Sequence, residues 1–219
     1  MSGIDDLMAE SNERWANARR RSQGIEDNGL GKAVKTYYTR YFPAGLFALV
    51  AVGAVTGILA FPRTPEVWPT LLSFGFLLGV VVAFVGGLIY NAKKVAPAAN
   101  LGKIDVLFSL ESEEQKQVRR QIAGKAHLDP EHLAVTRAAA VQLRKGLATQ
   151  LLLQPLMPCV FAAQAMNFAL GGDNLVAVLM ATAVVGIVIA DGFLIRDFRR
   201  TGRFLTRTAE QAAPGNASL

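Results

Sequence analysis

The chain has 219 residues, a formal charge of +6 and an apolar fraction of 52%. A mean hydropathy of +0.30 is well above that of an ordinary soluble domain and points to a membrane protein. The single cysteine, Cys159, excludes an internal disulfide and, inside an apolar run, reads as a small filler.

In chain order, residues 1–42 form a polar and basic segment. Its opening, MSGIDDLMAESNERW, has no apolar h-region, so no cleaved signal peptide is expected. Ser2 and the closing NASL match no lipidation signature. Ile4, Leu7, Met8, Trp15 and Ala18 fall near one helical face, as in an amphipathic helix for a membrane surface or a partner. The stretch KAVKTYYTRYF mixes Lys32, Lys35 and Arg40 with Tyr37, Tyr38, Tyr41 and Phe42, the composition of a headgroup region.

Four apolar runs, 43–61, 69–90, 147–170 and 174–195, approach or exceed the roughly 20 residues that cross a bilayer core. A backbone in lipid must satisfy its own hydrogen bonds, so each is read as a helix. Between the first two, PRTPEVW uses Pro62 and Pro65 to end one helix and begin the next, with Trp68 at the interface. Between the last two, GGDN is a minimal helix-to-helix link, with Gly171 suited to the left-handed position.

Orientation follows from the basic residues. Segment 1–42, segment 91–146 and the tail 196–219 hold nearly all of them, while the two links contain only Arg63, Glu66 and Asp173 as charged residues. The expected fold is therefore an all-α integral membrane protein. Four transmembrane helices form two antiparallel hairpins, 43–90 and 147–195, joined by a cytoplasmic helical segment. Both termini are cytoplasmic, in the plasma membrane or cell inner membrane.

Helices in lipid gain little from apolar contact, so close backbone approach decides packing. GAVTG and GFLLG place Gly53 and Gly57 at the depth of Gly75 and Gly79 across the first link, a small-residue seam within the hairpin. Homodimerisation through one of these faces is the alternative.

Within the last run stands Asp191. Folding back at GGDN brings it level with Gln154, whose amide suits a carboxylate or a carboxylic acid. One or two hydrogen bonds of about 1 kcal/mol each offset much of the cost of a carboxyl in lipid, about 2.5–3.5 kcal/mol at the helix centre. Asp191 and Gln154 thus form an intramembrane polar pair, read as interhelical glue with a proton or cation site as the sharper alternative. Pro155 and Pro158 interrupt the third run. Gln164 and Asn167, farther along it, are candidates for a small polar cavity.

Segment 91–146 is expected to hold two helices. One opens at Ser112 with Gln115 as a capping box and closes near Gly124; the other opens with Asp129 and Pro130 and bends near Gly146. Val118, Ile122, Leu133, Val141 and Leu143 supply too little apolar surface for a core of their own. A helix-turn-helix is set aside because no third helix supports it and acids interleave the bases. His127 and His132, five apart, share no helical face, so no metal is expected. Arg199, Arg200 and Arg203 are placed against anionic headgroups.

No phosphate-binding loop, metal cluster, nucleophile with a base, or paired carboxylates appear, so neither catalysis nor a cofactor is expected. The expected partners are a bilayer with anionic headgroups and a protein partner or homo-oligomer, not nucleic acid. Function is read as an accessory subunit, scaffold or regulator acting through the cytoplasmic helices. The alternative is a small oligomeric transporter or channel around Asp191 and Gln154.

Overall fold

A computed structural model describes residues 2–60, 67–101 and 104–212. The elements begin with α1 (Ser2–Ser22), β1 (Glu26–Asp27), α2 (Leu30–Thr36), a π-helical turn Tyr37–Tyr41, α3 (Phe42–Ala60) and α4 (Val67–Tyr90). A second π-helical turn, Asn91–Val95, leads to α5 (Ala96–Ala98), β2 (Ala99–Asn100) and a 3-10 turn Val106–Ser109. Then come α6 (Ser112–Ile122), α7 (Leu133–Leu153), α8 (Leu156–Leu170), α9 (Asn174–Arg207) and α10 (Ala209–Ala212). The fold is all-α, with β1 and β2 a two-residue antiparallel pairing, Glu26 opposite Asn100.

Among the described residues three helical stretches are long and apolar enough to cross a membrane: Leu77–Ala98, Leu133–Leu170 and Asn174–Arg207, of 22, 38 and 34 residues. The run 43–61 forms most of α3, 19 residues without a charge. The link with Pro62 and Pro65 lies outside the described residues.

Helix ends show where local chemistry departs from expectation. The capping box of α6 is set one residue earlier than Ser112: the Glu111 N–H donates to the Glu114 carboxylate at 2.8 Å. Glu114 is preferred there because Arg14 and Ser11 of α1 also bind it. At the other end Gly124, at φ +61°, closes a Schellman turn in which the Lys125 N–H reaches the Arg120 carbonyl at 2.8 Å. The next helix opens at Leu133 rather than Pro130, because the Asp129 carboxylate accepts the Glu131 N–H at 3.0 Å in a local turn. It runs through Gly146 and stops at Leu153. In the GGDN link Gly172, not Gly171, takes the left-handed conformation at φ +84°. The Asp173 N–H then caps the Phe168 carbonyl at 2.9 Å.

The chain divides into two compact units. The first comprises Met1–Leu30, Ala96–Leu147 and Asp197–Leu219. Its core draws on all three stretches: Ala18 from α1, Val106 and Val118, Val135 and Ala140 from α7, and Phe198 and Leu205 from α9 are buried. That is the correction to the expectation of coreless helices: the missing apolar surface comes from segments distant in sequence. Polar ties close the unit. Thr136 donates to Gln121 at 3.2 Å within the core, and Arg137 donates to the Leu205 carbonyl at 3.0 Å and to Thr208 at 2.7 Å.

The second unit comprises Gly31–Val95 and Ala148–Arg196. Here α4 packs along both α3 and α8. The surroundings of Gly53 and Gly57 lie outside the described residues. Gly79 is buried, and Gly75 faces open space.

Candidate functional site

Several polar groups of the second unit gather at the break between α7 and α8. Pro155 has no N–H, so the carbonyl of Leu151, four residues earlier, loses its helical partner. The Tyr38 hydroxyl donates to that carbonyl. The neighbouring Tyr37 hydroxyl donates to the Leu152 carbonyl at 3.4 Å. Tyr38 at the foot of α3 thus replaces the one backbone donor that the proline removed, and Tyr37 adds a bond to the next carbonyl.

The tyrosines are held by their own neighbours. Tyr37 lies with its ring centroid 5.2 Å from that of Tyr90, and the Tyr90 hydroxyl donates to the Ala33 carbonyl at 2.8 Å. Burial above all, then the charges of Tyr37 and Asp191, push the Tyr38 hydroxyl up, so it stays protonated and able to donate. At Gly87 of α4, a Cβ would meet the Leu152 carbonyl oxygen at 3.2 Å, so glycine permits the close approach of α4 to the break. Just before the break, Thr149 donates to the Asn91 side chain at 3.1 Å.

Gln154 sits in the break itself, its N–H still bonded to the Gln150 carbonyl at 2.9 Å. Its side chain neighbours the Asp191 carboxyl on α9. The two residues paired by depth in the sequence are therefore neighbours in space. Oδ1 of Asp191 is nonetheless buried without a hydrogen-bond partner. A buried polar atom left this way costs about 1–3 kcal/mol.

The other expected site residues lie elsewhere. Gln164 and Asn167 are on α8, about 15 Å or more along the helix from Gln154, and do not belong to this layer. Arg199 and Arg203 are exposed on α9, whereas Arg200 donates to the Ala123 carbonyl at the end of α6. His132 stacks on Trp15 with centroids 3.7 Å apart. Composition alone points Tyr37 and Tyr38 toward headgroups. The signal that would have found them is Pro155, which orphans one identifiable carbonyl. No protein-family model, curated protein or solved structure matches the chain.

Proposed function

We propose that the chain is a four-span protein of the plasma membrane, with cytoplasmic termini, that acts without catalysis as an accessory subunit or regulator through its first unit. Parity supports four spans rather than three. Leu30 and Ala96 belong to one folded unit, so the chain between them crosses the membrane an even number of times; the α4 crossing requires one by α3. The same holds between Leu147 and Asp197, with α8 and α9 as the pair. The basic residues of that unit support a cytoplasmic side for it.

One observation carries the interaction role. From Ser11 onward α1 lies against the first unit through Ser11, Trp15, Ala18 and Ser22, yet the same face continues outward as Leu7 and Met8, 67% and 62% exposed. A helix that leaves its own core still showing apolar side chains is suited to a protein groove. The test is native mass after gentle extraction, with co-purifying chains identified. A stoichiometric partner that is lost in Leu7→Asp/Met8→Asp, while insertion and folding persist, is expected. A partner-free protein indifferent to that substitution overturns the reading.

A second reading, a small transporter or channel, is favoured by the unpartnered Oδ1 of Asp191 beside a broken helix, the kind of place where transporters bind ions. In reconstituted vesicles Asp191→Asn then changes proton or monovalent-cation flux and leaves stability alone. A variant that only loses stability makes Asp191 and Gln154 interhelical glue.

A further inference from the structure

We propose that residues 104–108 of the first unit form a membrane-surface anchor: Ile104 and Phe108 enter the headgroup boundary of an anionic bilayer, and Arg21 binds a lipid phosphate there. The proposal rests on the four-span reading and adds a lipid site on a part of the chain that the spans do not include.

The turn is rigid. Val106 and Leu107 point into the core, fully and almost fully buried. The Asp105 carboxylate accepts the Leu107 N–H at 2.9 Å. Gln142 of α7 holds the turn from the other side, accepting the Val106 N–H at 3.0 Å and donating to the Ile104 carbonyl at 3.3 Å. With its two central residues locked inward, the turn presents Ile104, 53% exposed, and Phe108, 75% exposed. Single exposed apolar residues are ordinary. Here two large ones flank a pinned turn, so their exposure is not the result of a loose loop.

Charge and position identify the occupant. The Arg21 guanidinium lies 5.9 Å from the Phe108 ring centroid, and the residue is half-buried, so part of its side chain stays open beside the ring. A half-open cation beside an exposed aromatic is the pairing that suits the bilayer interface, where the ring meets acyl chains and the cation meets phosphate. Gln142 stands five residues before Leu147, about 7.5 Å along α7 from where the third apolar run begins. That places the turn near the start of that run along the chain.

The test uses the single cysteine to advantage. On a Cys159→Ala background, a nitroxide at Phe108→Cys, at Lys116→Cys and at Val185→Cys reports depth in phosphatidylglycerol vesicles, through its accessibility to oxygen and to a water-soluble relaxation agent. Position 108 is expected to be as oxygen-accessible as a lipid-facing site, and Lys116 to be water-accessible. Arg21→Gln is expected to lower the ratio of inserted to solvated signal at 108 about fivefold. A label at 108 as water-accessible as at Lys116 overturns the anchor while Val185 still reports lipid. A label at 108 shielded from both agents means a protein covers it, and also overturns it. A water-accessible Val185 removes the membrane reading and the anchor with it.

Discussion

The Arg144 guanidinium binds Oδ2 of Asp27 and stacks 4.7 Å from the Phe198 ring centroid. Asp27 in turn caps the start of α2, its Oδ1 accepting the Gly29 and Leu30 N–H groups at 3.0 and 2.8 Å. Both charged side chains are largely buried, 16% and 12% exposed. Removing Arg144 leaves a buried carboxylate without its cation, so Arg144→Ala is expected to cost about 3 kcal/mol in reversible unfolding in mixed micelles. Gly202 belongs to the same lock: a methyl there sits 2.7 Å from Nη2 and 2.9 Å from Cζ of Arg144. Gly202→Ala is expected to cost about 1–3 kcal/mol alone and almost nothing with Arg144→Ala. Equal costs in both backgrounds would place the strain elsewhere. Glu114 gives a pH-dependent contact. Burial opposes its charge, but hydrogen bonds from Arg14, the Glu111 N–H and Ser11 outweigh that and hold its carboxyl below the usual range. A depressed pKa stabilises above the unfolded value, about 4.3, and that contribution is lost as pH falls through the lower folded value. Hydrogen-exchange protection of residues 11–22 is therefore expected to hold down to about pH 4.3 and to fall below it. Glu114→Gln should show reduced protection with no such step. Neither lock was legible in the sequence, since each joins residues about 100 or more apart.

At the scale of elements, helices were legible and their ends were not. Hydropathy places α3, α4, α8 and most of α9, because length and composition alone decide whether a run can cross lipid. The cap of α6, the start of α7 and the left-handed glycine of GGDN each moved by one to three residues, because distant side chains or a competing turn selected the cap. The expected bend at Gly146 also moved: glycine permits a bend, whereas Pro155 removes a hydrogen bond and so requires one. This makes the α7–α8 break a testable element. Tyr38→Phe leaves the Leu151 carbonyl without a donor, and about 1–3 kcal/mol of stability should be lost. Pro155→Ala returns an N–H to that carbonyl, so Tyr38→Phe should cost markedly less in the Pro155→Ala background. Dodecyl-sulfate unfolding in bicelles measures both. Costs that simply add would mean that the hydroxyl and the proline act independently, and the tyrosine would return to a headgroup role.

For the molecule as a whole, the sequence separates basic segments from apolar runs, and the structure gathers three of those segments into one core. Segment-by-segment reading could not find that core, because no one of 1–30, 96–147 and 197–219 holds enough apolar surface alone. The Asp191–Gln154 neighbourhood was legible for the opposite reason: a four-residue link fixes the register of two helices, and depth then follows from counting. Under the proposed four-span reading, co-folding of the three segments adds a geometric argument to the charge pattern, since a core cannot assemble from both sides of a bilayer. On the Cys159→Ala background, Asp173→Cys should react with an impermeant maleimide applied to intact cells. Lys125→Cys should react only after the membrane is opened, as should a cysteine at Glu210. Labelling of Asp173 and Glu210 from the same side would mean that α9 does not cross. Labelling of Lys125 and Glu210 from opposite sides would separate α6 from the end of α9, in conflict with the buried Phe198 and Leu205 and with the bonds from Arg137 to Thr208 and from Arg200 to Ala123. The first unit would then have no single side on which to fold.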